Sequence, residues 1–316
     1  MAFRRSRTAP YHFMRFFVAI TDSDWFEYLS VLKPDEVNFW QPSGSSQFQA
    51  LQPGEPLLFK LHSPQNYIVG GGFFSHFSLL PFTFAWEVYL QKNGASSLPE
   101  MQARIEKYRR APLSSAKDET IGCILLQQPF FLERADWIPV PDWPKSIVRG
   151  KSFGTGGDGA LLWKKVQEQM TAPLQLEEDL SDVPKYGSPQ VVLPRLGQAA
   201  FRIIVADNYG RRCAVTSSHI LHVLDAAHIR PYARGGSHSP TNGVLFRQDV
   251  HTLFDRGYLT ISPDYHLEVS KRIKEEFDNG AEYYALHGKA VHLPADDLAL
   301  PSRTGLQWHN ENVFKA

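Results

Sequence analysis

Cysteine is scarce in this sequence. Only Cys123 and Cys213 occur among its 316 residues. Two cysteines can build neither a disulfide framework nor a zinc site with four thiolate ligands. We therefore expect both to be buried and reduced, which favours a cytoplasmic compartment.

A net charge and a long apolar run are also absent. The 33 lysines and arginines balance 33 aspartates and glutamates, so the chain lacks the basic excess that is typical of nucleic-acid-binding proteins. No apolar run approaches the length of a membrane span. Residues 1–17 carry basic side chains without a clean apolar core, so neither a membrane protein nor a secretory signal is predicted.

The first half of the chain has the pattern of short strands. Apolar runs between Pro, Gly and Ser clusters predict strands over 13–20, 37–40, 56–62, 67–74, 84–89 and 121–128. Two helices are predicted with them, one after the N-cap signal at 21–24 and one over 101–110. Together these elements predict a small, curved, mixed β-barrel with helices at its rim, in a domain that spans residues 1–170.

An acidic, proline-containing stretch separates this half from the next, and we interpret residues 171–194 as a linker. Residues 195–316 then form a second predicted domain. Its predicted elements are a helix over 195–209, strands around 213–216 and 224–229, a helix over 248–254 and a hairpin over 256–269. The predicted fold class is therefore α+β.

Five polar residues of the second domain have spacings that suit a hydrolytic metal site: Asp225, His228, Asn242, His251 and Asp255. His251 and Asp255 are four residues apart in a predicted helix, so they share one face. Asp225 and His228 nominally point to opposite faces of a flat strand, and a bend near the strand end is needed to bring them together. A nitrogen and two carboxylates suit a divalent cation, and a neutral histidine beside it can take a proton from water.

This pattern resembles the HNH nuclease family. The resemblance spans residues 195–310 and rests on five ordered elements: GQAAFR at 197–202, AAHIRP at 226–231, GG at 235–236, NG at 242–243 and H-x-x-x-D at 251–255. The segment RCAVT at 212–216, together with the GQAAFR lead-in, is similar to the subgroup found in restriction-type proteins.

The resemblance implies a ββα-metal fold, in which a β-hairpin, a loop and a helix surround one metal ion. His228 is then the general base that activates water, and Asn242 ties the loop to the strand or orients that base. His251 is the helix-borne metal ligand, and Asp255 is a further ligand or a phosphate contact. The implied reaction is hydrolysis of phosphodiester bonds with one divalent cation, Mg²⁺ or Mn²⁺, leaving a 5′-phosphate.

The sequence departs from the family at Ala227, where many members place an acidic or histidine ligand directly before the base. Asp225 is the nearest acid and is expected to substitute as a metal ligand. The CxxC pairs of many members are missing, so no structural zinc is expected. Taken singly, each histidine or acid of the pattern also suits a structural role, and we expect His238, in a Gly/Ser loop, to be solvated.

The predicted barrel is rich in aromatic residues. Its segments at 37–43, 57–66 and 69–72 resemble the PUA-like superfamily, which includes domains that read modified or flipped bases. Such a base is held by stacking and by hydrogen bonds to its edge. We predict Trp40 as the stacking residue and the following polar partners: Asp22, Asp24, Asn38, Ser43, His62 and Asn66. Core packing for the aromatics, and helix capping for the two aspartates, remain open alternatives.

The combination predicts a modification-dependent restriction endonuclease, in which the barrel recognises a modified base in double-stranded DNA and the HNH domain cuts nearby. Arg202 and Arg230 are expected to contact nucleic acid, since a local basic face can bind phosphates while the whole chain stays neutral. Two alternatives stay open: a nuclease that reads an unmodified sequence or RNA, and an inactive nucleic-acid-binding module. One site per chain makes a homodimer a further hypothesis.

Overall fold

The computed structural model describes residues 15–45, 47–114, 119–154, 159–177 and 196–316, with the backbone alone over 171–177. It has the mixed α+β composition that the sequence predicts. Two compact units are present: one takes its described residues from Met1–Val37, Phe48–Ser75 and Leu126–Pro194, the other from Asn38–Gln47, His76–Leu125 and Arg195–Ala316. The predicted limits 1–170, 171–194 and 195–316 stay a prediction, since most of the linker lies outside the described residues.

A mixed sheet dominates the first half of the chain. Its strands are β1 (Arg15–Thr21), β2 (Glu36–Gln41), β3 (Pro56–Leu61), β4 (Tyr67–Pro81), β5 (Thr120–Phe131), β6 (Ile138–Pro139) and β7 (Gly150–Gly154). Over the described ranges the order is β2-β5-β4-β3-β1-β7, with β6 paired to β4. β1 runs parallel to β3 and antiparallel to β7. Five of the six predicted strands are confirmed.

The sixth predicted strand, over 84–89, is wrong, because these residues form a helix. The helices of this half are α1 (Ser23–Leu32), α2 (Phe82–Tyr89), α3 (Leu98–Arg109) and α4 (Ala160–Glu177). Phe82, Ala85 and Tyr89 are buried at the three- and four-residue spacing of one helix face. A short apolar run does not separate a strand from a buried helix by its periodicity.

Alternation along the strands builds the core of the first unit. Phe16 and Val18 of β1 are buried and pack in one cluster with Leu58 of β3, because residues two apart point to the same face. Trp163 and Val166 of α4 cover this cluster. No helix in the part of the chain that is described is long and apolar enough to cross a membrane.

The last third of the chain contains two hairpins and five helices over its described residues. They are α5 (Gln198–Asn208), β8 (Leu224–His228), β9 (Gly243–Arg247), α6 (Gln248–Asp255), β10 (Leu259–Ile261), β11 (Leu267–Val269), α7 (Arg272–Phe277), α8 (Ala281–Tyr284) and α9 (Arg303–Asn312). β8 pairs antiparallel with β9, and α6 follows β9 directly. The hairpin, loop and helix of the predicted ββα arrangement are therefore present.

The predicted strand around 213–216 is wrong, because this segment is a turn. The thiol of the buried Cys213 accepts hydrogen bonds from the backbone N–H groups of Thr216 and Arg247. Both cysteines of the chain are buried, as predicted. The turn is also tied to β9, because the backbone N–H of Ala214 donates to the carbonyl of Leu245 at 2.8 Å.

Helix α5 has two apolar faces. Ala200 and Ile203 pack into a cluster with residues of α2, α3 and β5. Phe201 and Val205 pack into the cluster formed around β8, β9 and α6. Packing on both sides leaves the helix little freedom to shift, so α5 is a fixed support for the side chains that it presents to the β8–β9 hairpin.

Candidate active site

His251 of α6 lies between two carboxylates. Its Nδ1 is 3.1 Å from Oδ2 of Asp225 on β8, and its Nε2 is 3.2 Å from Oδ2 of Asp255. The helical spacing places His251 and Asp255 on one face, as predicted, and the antiparallel hairpin carries Asp225 to the same place. All three side chains remain partly exposed, at 37% for Asp225, 20% for His251 and 55% for Asp255.

The two carboxylates control the protonation of this cluster. Burial disfavours the charged imidazolium, but the hydrogen bonds to Asp225 and Asp255 outweigh it and raise the pKa of His251 to about 9. Burial likewise works against the Asp225 carboxylate, yet His251 and the nearby Arg202 hold its pKa below the usual range. His251 therefore keeps its proton at neutral pH, between the two carboxyl groups.

Arg202 of α5 connects this cluster to helix α2. Its Nε is 3.2 Å from Oδ1 of Asp225, and its Nη2 is 2.9 Å from Oε1 of Glu87. The same Nη2 donates to the backbone carbonyl of Leu224, and the guanidinium carbon lies 5.3 Å from the centre of the Phe84 ring. Arg202 therefore holds the Asp225 carboxylate by an ion pair from helix α5. Its predicted contact with nucleic acid stays a prediction.

The predicted base, His228, is held between two rings. It stacks on the buried Phe201 of α5 at 4.2 Å between centroids and 12° between planes. Its Nε2 is 2.9 Å from Nδ1 of His238, whose own ring stacks on Tyr232. Burial, reinforced by the neighbouring His238, lowers the pKa of His228 to about 4. The imidazole is thus neutral at pH 7, the state in which it can accept a proton.

Asn242 joins the end of strand β8 to the loop before β9. Its Oδ1 accepts from the backbone N–H of Arg230 at 3.0 Å. Its Nδ2 donates to the carbonyl of Arg230 at 3.0 Å and to that of Ser237 at 2.8 Å. The glycine of the GG pair at 236 packs against the same loop, where an added Cβ would lie 1.8 Å from the Arg230 carbonyl oxygen. These contacts set the path of the chain just after His228.

The predicted phosphate contact Arg230 is exposed at the rim of the site. Its Nε donates to the carbonyl of Arg234 at 2.7 Å, and its guanidinium lies 5.1 Å from the centre of the Trp308 ring on α9. Stacking on an aromatic face leaves the guanidinium edge open to an anion. The structure therefore presents Arg230 in a suitable place, and its role in binding stays a prediction.

His309 of α9 packs against helix α6 and is only 1% exposed. The His309 ring stacks on Phe254 at 3.8 Å and 11°, with Nε2 3.2 Å from the Phe254 carbonyl and Nδ1 2.8 Å from Oγ1 of Thr260. Burial lowers the pKa of His309 to about 4. A neutral imidazole therefore fixes the end of α6, next to Asp255.

Three of the predicted base-reading residues, Trp40, Asn38 and Ser43, lie in the second compact unit. Trp40 is half-buried, packs against the α2–α3 cluster and donates its Nε1–H to the carbonyl of Asn93 at 2.9 Å. Asn38 is buried and donates to Oδ1 of Asn93 at 2.9 Å. Ser43 lies two residues beyond β2, and its hydroxyl is 2.6 Å from that of Ser45.

The other predicted partners belong to the first compact unit. Asp22 is the N-cap residue of α1, although its side chain makes no capping bond, and it lies 3.6 Å from Nε2 of His62. Asp24 is exposed in the first turn of α1. Asn66 accepts a 2.7 Å hydrogen bond from Nζ of Lys60. The nucleic-acid roles of all these residues stay predictions.

The donor types of the site fit a divalent cation. Carboxylate oxygens with one imidazole nitrogen are ligands that Mg²⁺ and Mn²⁺ accept. However, no group of three or more His, Cys, Asp or Glu side chains among the described residues is already arranged to hold a metal ion. Asp225, His251 and Asp255 are paired with one another instead. A cation can enter only if His251 gives up at least one of its two carboxylate contacts.

Two residues of this site, His238 and Glu87, were not among those predicted from the sequence. His238 was expected to be solvated, yet it contacts His228 directly. Glu87 lies 115 residues before Arg202, in a segment predicted as a strand. The histidine that follows the GG pair was a usable signal, because the loop that carries it returns to the end of β8. No sequence signal marks Glu87, since its contact depends on how α2 and α5 pack.

A comparison with known protein families finds a match over the residues of the site. The sequence model of the HNH endonuclease family matches residues 213–262. A search of curated proteins found no match. The solved structures that match include ASCH from Zymomonas mobilis, with 9% identity and a TM-score of 0.28 over 50% of this chain and 94% of that one. They also include the modification-dependent TagI restriction endonuclease, with 12% identity and a TM-score of 0.27 over 89% of this chain and 76% of that one.

With TM-scores of 0.28 and 0.27, these two structures do not indicate what the chain does. The family match is different, because it falls on the site itself. Asp225, His228, Asn242, His251 and Asp255 all lie within the matched segment. The cluster between β8, β9 and α6 therefore belongs to an HNH endonuclease domain.

Proposed function

We propose that this protein is a metal-dependent DNA endonuclease whose first half recognises a modified base. The observation that carries the nuclease part is one local arrangement inside the HNH endonuclease match. A neutral histidine, His228, stands next to the cluster of Asp225, His251 and Asp255, and its pKa responds to those three groups. A proton acceptor beside a cation-attracting cluster is what metal-assisted hydrolysis of a phosphodiester requires.

Asp225, His251 and Asp255 would hold the cation, Mg²⁺ or Mn²⁺. When bound, it supplies positive charge that stabilises the charge developing on the phosphate and the leaving oxygen. Arg202 and its partner Glu87 keep the Asp225 carboxylate in place. The Asp225 carboxylate is therefore oriented by a residue of α5, which lies outside the hairpin and helix of the site.

His228 would accept the proton of the attacking water at a ring nitrogen. Its neutral state at pH 7 makes it available, and stacking on Phe201 fixes its plane. The 2.9 Å contact between Nε2 of His228 and Nδ1 of His238 gives that proton a second imidazole to move to. Asn242 positions the base by fixing the chain that follows it.

The substrate that we propose is double-stranded DNA with a modified base, and the acting form is a homodimer. One HNH site per chain cuts one strand at a time, so cleavage of both strands needs two chains or two successive events. Light scattering with and without DNA tests the dimer: a monomer mass in both samples would exclude it.

The central experiment compares cleavage of modified and unmodified plasmid DNA, and of RNA, with Mg²⁺, with Mn²⁺ and with EDTA. We expect modified DNA to be cut, unmodified DNA and RNA to be spared, and EDTA to abolish cleavage. The His228→Ala variant should lose about 100-fold or more in rate. The matched control is His219→Ala, which removes an exposed histidine from the same unit.

Each contrary result has a distinct meaning. Equal cutting of modified and unmodified DNA removes the base-reading proposal and leaves the nuclease. Undiminished cleavage by His228→Ala overturns the assignment of the base. Binding without cleavage of any nucleic acid favours the inactive binding module.

A further inference from the structure

An open cleft lies in the first compact unit. We name it the Trp143 cleft. It has a volume of about 330 Å³ and lies between the loop after β6, strand β7 and the start of α4. Trp143 and Phe153 line it, with Lys151, Lys165 and Asp142 at its edge. A volume of this size is at the lower end of the ~300–1,000 Å³ of small-ligand sites.

The two rings of the cleft are half-buried and held in position. Their centroids are 6.3 Å apart with 45° between the planes. The Trp143 indole donates to the carbonyl of Ile147, and the buried Lys60 ammonium lies 4.9 Å from the centre of its ring. Lys60 is itself fixed by Asn66 and by the backbone carbonyl of Leu61. The aromatic wall is thus formed before any ligand arrives.

The loop that carries Trp143 is stiff for a second reason. It contains prolines at 139, 141 and 144, all of which line the cleft. Proline fixes the backbone φ angle and so reduces the number of conformations that the loop can adopt. Binding to such a loop costs less ordering than binding to a mobile one.

The charges around the cleft identify an anionic, flat ligand. Lys151 on β7 and Lys165 on α4 are exposed. The Lys151 ammonium lies 4.8 Å from the centre of the Phe153 ring, which also stacks on Phe16. The Trp143 ring, with ammonium groups beside it, matches a nucleobase that stacks on the indole and keeps its phosphates outside. Asp142 adds an acceptor for the exocyclic amino group of a base.

We propose that the Trp143 cleft binds an unstacked base of DNA, with Lys151 and Lys165 on the adjacent phosphates. The proposal rests on the proposed function, because it names the place where the first half of the chain reads its base. Trp40, the stacking residue predicted from sequence, does not line this cleft.

The test measures binding of the full-length chain carrying His228→Ala, so that cleavage does not interfere. The probes are labelled single-stranded DNA and duplexes that are identical except for one base, which is unmodified, 5-methylcytosine, 5-hydroxymethylcytosine or N6-methyladenine. RNA of the same sequence and a free nucleoside monophosphate complete the set. Trp143→Ala, Trp143→Phe and Lys165→Ala are compared on each probe.

Lys164→Ala is the matched control, since Lys164 precedes Lys165 on α4 but does not line the cleft. We expect Trp143→Ala to weaken binding about 10- to 100-fold and Trp143→Phe to restore most of it, because the loss is one of base stacking. Lys165→Ala should reduce the salt dependence of binding by about one phosphate contact, and Lys164→Ala should leave it unchanged.

The proposal is overturned if Trp143→Ala and Lys165→Ala bind every DNA probe as the parent does, or if the parent binds none. Preference for RNA, or binding of the free nucleotide alone, also overturns the assignment to DNA. Loss of binding in Trp143→Ala counts only where its thermal unfolding matches that of Trp143→Phe. If single-stranded DNA binding needs Trp143 but no modification is preferred, the cleft stands and the modified-base function fails.

Discussion

Asn242 provides a sharp test of how the site is built. Its side chain makes three hydrogen bonds, all to the backbone of the loop between β8 and β9, at 2.8 to 3.0 Å. A hydrogen bond of this kind contributes about 0.5–1.5 kcal/mol net. Because these bonds are solvent-exposed, we expect Asn242→Ala to lower the free energy of unfolding by about 1–3 kcal/mol.

The Asp variant separates hydrogen bonding from size. Asn242→Asp keeps the acceptor for the N–H of Arg230 but replaces the two donor bonds with a carboxylate oxygen facing the carbonyls of Arg230 and Ser237. We therefore expect it to be no more stable than Asn242→Ala at pH 7. At acid pH the protonated carboxyl can donate again, so the Asp variant should gain stability relative to Ala as the pH falls.

Urea unfolding and DNA cleavage, measured on the same samples, give the two readouts. The control is Asn312→Ala, which removes one comparable bond, from Nδ2 to the carbonyl of Trp308, at the end of α9. Cleavage should fall about 10- to 100-fold in Asn242→Ala, because small displacements of a base are costly, and stay unchanged in the control. Equal stability losses in Asn242→Ala and Asn312→Ala, with full activity in both, would refute the reasoning.

Three further predictions concern other residues that contact the site or helix α6. His309 stays neutral in the fold down to about pH 4 but titrates near 6.5 when unfolded, so urea unfolding should show the wild type losing up to about 3 kcal/mol more than His309→Gln between pH 7 and 4. Glu87→Gln removes one of the two carboxylate partners of Arg202, so its positive charge bears more strongly on Asp225. This variant should need a several-fold higher Mg²⁺ concentration for half-maximal cleavage, whereas Glu100→Gln, in a separate helix pair, should not. His238→Ala removes the neighbouring imidazole that lowers the pKa of His228, so the acid limb of the pH–rate profile should move to higher pH.

The local part of the site was predictable because it depends on short spacings. His251 and Asp255 share a helix face at a separation of four, and the resemblance to the HNH family implied the hairpin that precedes them. The contact between Asp225 and His251 then follows from antiparallel pairing, which sets Asp225 opposite Phe246, just before α6. Spacing and pairing together give the two carboxylates and the imidazole.

The other residues of the site are brought together by tertiary packing, which residue spacing in the sequence does not reveal. The run at 84–89 satisfies both a strand and a buried helix, and only as a helix does it bring Glu87 to Arg202. The ring of Phe201 under His228 follows from the second apolar face of α5. His238 could not be assigned by loop composition alone, since Gly and Ser report flexibility of the backbone and not where its one histidine points.

The neutral charge of the chain also has a structural explanation. Near the site, Glu87, Asp225 and Asp255 face Arg202 and His251, so the acids keep an excess that suits a cation and repels phosphate. Arg202 is engaged by two carboxylates and a carbonyl, whereas the Arg230 side chain is exposed. A nuclease of this kind needs opposite charges at short range, one sign for the cation and the other for the DNA. Their sum over the chain is therefore no measure of whether it binds nucleic acid.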